Sequence, residues 1–165
     1  MPSPTRSPTR AEGTVSLFLV RHARAGSRQR WAGDDDLRPL SAKGERQAKA
    51  LVPALEPYGV GEVKGIFSSP SLRCIQTVEP LAEQLGLTVE PVEELAEGQG
   101  PEPLVLARKW LKRGVVACSH GDVIPFVVGA LVPDLAELPC AKGSAWILER
   151  TTSGGVRARY VPPPV

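Results

Sequence analysis

Two short apolar runs, each ending in a histidine, constrain this chain more than anything else in it. The first, Val15-Ser16-Leu17-Phe18-Leu19-Val20, is apolar or β-branched at nearly every position and runs directly into Arg21-His22. The second, Gly114-Val115-Val116-Ala117-Cys118, leads into Ser119-His120-Gly121. Neither alternates apolar with polar residues, so each suits a strand covered on both faces, as in a parallel sheet with helices on either side. The chain has two histidines, and both follow such a run. In open α/β sheets ligands collect beyond the carboxyl ends of the strands, so both imidazoles are expected at one binding crevice.

A third strand end lies between them. Ile66-Phe67-Ser68-Ser69-Pro70 leads into a helix whose first turn carries Arg73. Three strands thus deliver His22, Arg73 and His120, with Arg21 beside the first. Two guanidiniums and two imidazoles suit a dianionic phosphoryl group, because guanidinium forks hold paired oxygens and a neutral ring nitrogen is a nucleophile.

These residues resemble the histidine phosphatase superfamily, also called phosphoglycerate mutase-like. The motifs stand in the family's order: Arg21-His22 after the first strand, Ser68-Ser69-Pro70 with Arg73 and Gln76-Thr77, and Ser119-His120-Gly121. The segment Leu40-Ser41-Ala42-Lys43-Gly44-Glu45-Arg46-Gln47-Ala48 is similar to the family's helix opening. Ala23 stands where the family usually has glycine, as in the compact SixA-like branch. The run Arg24-Ala25-Gly26-Ser27-Arg28, with Trp31 and Asp34-Asp35-Asp36, looks most like the C-terminal phosphatase domain of actinobacterial two-domain Nudix hydrolases.

The resemblance implies a three-layer αβα fold, with a mostly parallel sheet and an antiparallel edge, over a phosphatase domain at residues 15–161. It implies that His22 attacks phosphorus to form a phosphohistidine, which water then hydrolyses, while Arg21, Arg73 and His120 hold the oxygens. It assigns no cofactor and no metal to the chemistry. Leu95-Ala96-Glu97 matches the family's Leu-x-Glu, making Glu97 the candidate general acid, with Glu94, Glu93 or no side chain as the alternatives. Ser27 and Arg28, in a long polar loop after His22, and Gly121, after His120, are candidate substrate-binding residues. The three aspartates of that loop read as solvating or capping residues, since their spacing is not that of a calcium loop.

Local signals divide the rest. Ser41 opens a helix with Ala48, Leu51, Val52 and Leu55 on one face, ending at Pro57-Tyr58-Gly59. A second helix, with Pro70 in its first turn and Ile75, Val78, Leu81, Ala82 and Leu85 on its apolar face, is expected to kink at Pro80 and stop at Gly86. Thr88–Val92 reads as a short strand, Pro101–Arg113 and Val123–Leu131 as helices, and Ala145–Arg150 with Val156–Val161 as a hairpin. The short connection after Glu97 leaves no room for a helical lid, which predicts an open pocket. Residues 1–14, rich in Pro, Ser, Thr and Arg, read as a disordered tail.

Composition excludes several classes. A length of 165 residues suits one domain, and a net charge of +2 argues against a nucleic acid polymer or an acidic membrane as partner. Three cysteines, Cys74, Cys118 and Cys140, form neither a disulfide framework nor a zinc pattern, which fits a reducing cytoplasm. Cys74 and Cys118 read as small buried hydrophobes, with a reactive thiol at Cys74, beside Arg73, as the alternative. No apolar run is long enough to span a bilayer. Three readings of function follow. One is a hydrolase of a small phosphorylated metabolite or nucleotide; another is a SixA-like phosphatase of phosphohistidine proteins; the third is a non-catalytic phosphate-binding module. The oligomeric state has no signature in the sequence.

Overall fold

Alternation along the first strand sets the layering. In β1, Ser16–Arg21, Leu17 and Leu19 join one apolar cluster while Phe18 and Val20 join the other, as the two-residue period of a strand requires. Every residue from Leu17 to Val20 is buried, so helices must cover both faces. The computed structural model describes residues 15–165; the tail expected at 1–14 lies outside the described residues.

The other strands are β2 (Gly65–Ser68), β3 (Val89–Pro91), β4 (Val115–Ser119), β5 (Ala145–Arg150) and β6 (Val156–Val161). They form one sheet in the order β3-β2-β4-β1-β5-β6. Its β3, β2, β4 and β1 strands are parallel, whereas β5 and β6 add antiparallel to one edge. The helices are α1 (Ala42–Leu55), α2 (Leu72–Leu85), α3 (Glu102–Trp110) and α4 (Ile124–Leu131). Leu51, Leu55, Val78 and Leu81 of α1 and α2 pack with Phe18 and Val20. Ala107, Trp110, Val127 and Val128 of α3 and α4 pack with Leu17 and Leu19. Each such fully buried aliphatic side chain contributes about 1.5–3 kcal/mol, and the three-layer αβα arrangement is the result.

Several boundaries differ from the sequence reading. Ser41 does cap α1, its Oγ accepting the Gly44 N–H; a 3₁₀ turn at Glu56–Tyr58 then carries the chain on to Gly59. The second helix starts at Leu72 rather than Pro70, with Ser71 at its N-cap, and runs as one helix through Pro80 to Leu85. Pro70 instead lies in the bend between β2 and α2, where its missing N–H is not needed. The predicted third helix is shorter at both ends: Pro101 is its N-cap, and a turn at Leu111–Arg113 leads into Gly114, whose φ of 85° is left-handed and costs a glycine little.

Candidate active site

Parallel pairing of β2, β4 and β1 puts their carboxyl ends side by side. Arg21 pairs with Ser119 and Ser68 with Cys118, so the next residues of all three strands share one edge. The His22 N–H reaches the Ser119 carbonyl at 3.1 Å and the Ser69 N–H reaches the Cys118 carbonyl at 2.9 Å. The rings of His22 and His120 lie edge to face with centroids 5.4 Å apart.

His22 is 5% exposed, and its Nδ1 is 2.8 Å from the Ala23 carbonyl oxygen. That oxygen only accepts, so Nδ1 carries the proton and Nε2 keeps its lone pair. Burial lowers the His22 pKa to about 3, with the charges of His120, Arg73 and Arg21 acting in the same direction against the Ala23 carbonyl. The imidazole is therefore neutral at physiological pH. The next turn is pinned from α2, where Thr77 Oγ1 accepts the Ala23 N–H at 2.9 Å while donating to the Arg73 carbonyl at 2.7 Å. Gln76 beside it accepts the Leu40 N–H at 2.9 Å.

Arg73 is 1% exposed and fully engaged at its tip. Nη1 donates to the Asp35 carbonyl at 2.9 Å and Nη2 to Glu97 Oε1 at 2.8 Å, with Asp35 Oδ2 at 3.3 Å from Nη2. The same Glu97 oxygen is 3.1 Å from His120 Nδ1. His120 Nε2 lies 2.8 Å from Ser69 Oγ. With the carboxylate as acceptor, Nδ1 carries a proton. Two donors expected to grip a phosphoryl oxygen thus converge on one carboxylate oxygen of this chain.

Arg21 donates through Nη1 to the Cys140 carbonyl, and its buried Nε has no partner. Gly121 makes room for it: a Cβ there would stand 2.8 Å from the Arg21 Cζ and 2.9 Å from Nη2. Around His22 and His120 opens a cavity of about 950 Å³, whose walls include Ser27, Arg28, Glu97 and Gly121. Arg73 is not on those walls, because Glu97 and Asp35 cover its guanidinium. The segment Ala96–Pro101 joins Leu95 to α3 without a helical element.

Three groups carry more than their sequence context announced. Asp35, read as a solvating or capping residue, accepts from Arg38 Nε at 2.9 Å and faces Arg73; the Arg38 hydrogen bond holds its carboxyl below the usual range, and Arg73 adds to this against burial. The capping role belongs to Asp34, whose Oδ1 accepts the Asp36 N–H. Arg38 itself is buried, its Nη1 donating to the Gly26 carbonyl at 2.7 Å. Cys74 is buried with Sγ 3.5 Å from His120 Nε2; burial pushes its thiol up, while Cys118 and His120 together bring it down to about 6. A lone aspartate within Asp34-Asp35-Asp36 gives no spacing from which an arginine partner in a distant helix could be read.

Residues 17–101 match the histidine phosphatase superfamily (branch 1). The chain is 33% identical over 163 residues to an 8-oxo-(d)GTP phosphatase of Mycolicibacterium smegmatis, covering 92% of this chain and 49% of that protein. It therefore spans about half the length of this relative. Its fold is similar to that of the protein histidine phosphatase SixA in complex with tungstate, with a TM-score of 0.74 and 23% identity over 90% of this chain and 97% of that one. It is also similar in fold to a mycobacterial glucosyl-3-phosphoglycerate phosphatase complexed with VO3, with a TM-score of 0.66 and 20% identity over 88% and 97% of the two chains. Among the described residues, no helix is long and apolar enough to cross a membrane.

Proposed function

The chain belongs to the histidine phosphatase superfamily, and from that premise we propose that it is a phosphohydrolase of a small phosphorylated metabolite or nucleotide, working through a phosphohistidine at His22. The observation that carries this reading is the fixed, uncharged state of His22: Nδ1 is committed to the Ala23 carbonyl and the pKa is lowered to about 3. A neutral Nε2 beside two arginines needs no base to activate it.

In the reaction, the phosphoryl group takes the place of the Glu97 oxygen against Arg73 Nη2 and His120 Nδ1. Arg21 meets the same group from the β1 side. These donors face the oxygens on which charge redistributes as the phosphorus passes from the leaving oxygen to His22 Nε2. Glu97, displaced but adjacent, is the candidate proton donor to the leaving oxygen. Water then attacks the phosphohistidine and releases orthophosphate. No step in this scheme calls on a metal or cofactor.

The relationship to the 8-oxo-(d)GTP phosphatase supports a nucleotide. A protein phosphohistidine substrate is the second reading, favoured by the short Ala96–Pro101 connection, which sets no helical lid over the cavity. Brief exposure to ³²P-labelled substrate tests the chemistry: the wild type should retain acid-labile, alkali-stable label and the His22→Ala variant none. Label that survives in the variant would remove His22 as nucleophile. Turnover of a phosphorylated carrier protein in preference to nucleotides would decide for the second reading.

A further inference from the structure

We propose that Arg24 and Lys142 form a second anion subsite beside His22, and that the substrate is a diphosphate whose inner phosphate rests there while its terminal phosphoryl group is transferred. This deepens the phosphohydrolase reading above and rests on it.

The first argument is charge. Five cations line the cavity, Arg21, Arg24, Arg28, Arg38 and Lys142, against two carboxylates, Glu97 and Asp122. Arg38 is committed to Asp35, and Arg28 stands 3.6 Å from Asp35 and 3.8 Å from Glu97. Asp122 Oδ2 is occupied by the Gly98 N–H at 2.9 Å. Among the described residues, that leaves the side chains of Arg21, Arg24 and Lys142 with no carboxylate partner, and of these Arg21 meets the transferred phosphoryl group, so Arg24 and Lys142 remain for a second anion. Like charges gathered without a counter-charge repel one another, and an anion relieves that repulsion. The Lys142 amine registers the crowding: its pKa is lowered by partial burial and then by Arg21, Arg38, Arg24 and Arg28.

The second argument is construction. One buried side chain ties the two backbones together: Gln47 Oε1 accepts the Arg24 N–H at 2.9 Å, and Gln47 Nε2 is shared between a Val165 oxygen at 3.2 Å and the Lys142 carbonyl at 3.4 Å. Ser41 donates its N–H and its Oγ–H to the Arg24 carbonyl at 2.9 and 3.1 Å. The Gly143 N–H reaches both the Arg21 and the His22 carbonyls, at 3.2 and 3.1 Å. The backbone at Lys142 is thus tied to the nucleophile's own strand end, and that at Arg24 lies two residues past His22. A phosphoanhydride sets its second phosphorus directly beside the first, so a subsite this near His22 fits a diphosphate better than an anion at the far end of a metabolite.

The chemistry balances without an added reagent. His22 Nε2 bonds to the terminal phosphorus, the bond from that phosphorus to the bridging oxygen breaks, and the electron pair leaves with the inner phosphate. Arg24 and Lys142 receive that charge, so departure does not require a proton from Glu97. Water then cleaves the phosphohistidine, giving orthophosphate and free His22, with its proton released to solvent.

Calorimetry on the full chain with two non-hydrolysable probes, methylenediphosphonate and methylphosphonate, tests the subsite without depending on turnover. The wild type should bind the diphosphonate at least about 10-fold more tightly. Arg24→Gln and Lys142→Gln should each cut that preference, their combination should abolish it, and Lys142→Arg should restore it. No preference in the wild type, or an unchanged one in the double variant, overturns the subsite. Failure of the phosphohydrolase reading would register separately, as absence of hydrolysis of both p-nitrophenyl phosphate and nucleoside diphosphates by the wild type.

Discussion

His22 donates its Nδ1 proton to the carbonyl of Ala23, 2.8 Å away in the next residue, so the orientation of the nucleophile is set by its own backbone. The neutral ring is bound up with stability. Its folded pKa is about 3 against 6.5 in the unfolded chain, so between those values the unfolded state binds the extra proton and stability falls as pH falls. The loss begins below about pH 6.5 and is complete near pH 3; at about pH 4.5 it amounts to about 3 kcal/mol. Urea unfolding at about pH 7 and pH 4.5 should show wild type losing roughly that much more than His22→Gln. Parallel losses in the two proteins would mean that His22 does not carry the effect.

Arg73 uses both terminal nitrogens, one on the Asp35 carbonyl and one on Glu97. A lysine has one nitrogen and cannot reproduce the fork. Arg73→Lys should lower kcat by about 10²-fold or more with little change in KM, because the oxygens it holds gain charge in the transition state. A rise in KM alone would assign Arg73 to uniform substrate binding.

Glu97 occupies the place against Arg73 and His120 that the phosphoryl oxygen is to take. Glu97→Gln removes a competing charge, so inhibition by orthophosphate should strengthen several-fold. As proton donor it matters most for poor leaving groups, and the variant should slow an alkyl phosphate by about 10²-fold while changing p-nitrophenyl phosphate far less. Equal slowing of both substrates would make Glu97 electrostatic only and move the search for the acid to Glu94 or Glu93.

Two glycines should respond differently to the same substitution. At Gly121 the added methyl meets the Arg21 guanidinium, a flexible side-chain tip; at Gly44 it meets the Arg24 carbonyl, which is backbone. Gly121→Ala should keep its fold and lose activity by about 10-fold, as the Arg21 fork is pushed aside. Gly44→Ala should instead cost about 1–3 kcal/mol of stability, as overpacking does. Thermal unfolding beside kinetics on each variant reads both, and a stable, fully active Gly44→Ala would contradict the packing described.

Much of the architecture was written locally. The β1 and β4 runs are apolar without alternation because helices cover both faces of the sheet, and a strand buried on both sides has no polar face to display. Ser41 announced α1 because its hydroxyl meets an N–H three residues on, a contact that needs nothing beyond the chain's own turn. Pro70 misled because the same fixed φ that suits a first helical turn also suits the bend just before one.

By itself the sequence determined which residues can lie at the crevice: a strand buried on both faces must end at an edge of the sheet, and Arg21-His22 and His120 directly follow two such strands. Their mutual geometry was left to the tertiary structure. Parallel pairing sets the two imidazoles 5.4 Å apart, brings Glu97 from 24 residues away onto Arg73, and lets Gln47 tie the backbones of Arg24 and Lys142 together across 23 and 95 residues. Hydrogen bonds of that span leave no periodicity and no spacing, because the distance they close is in space, and strand order and helix packing alone set it.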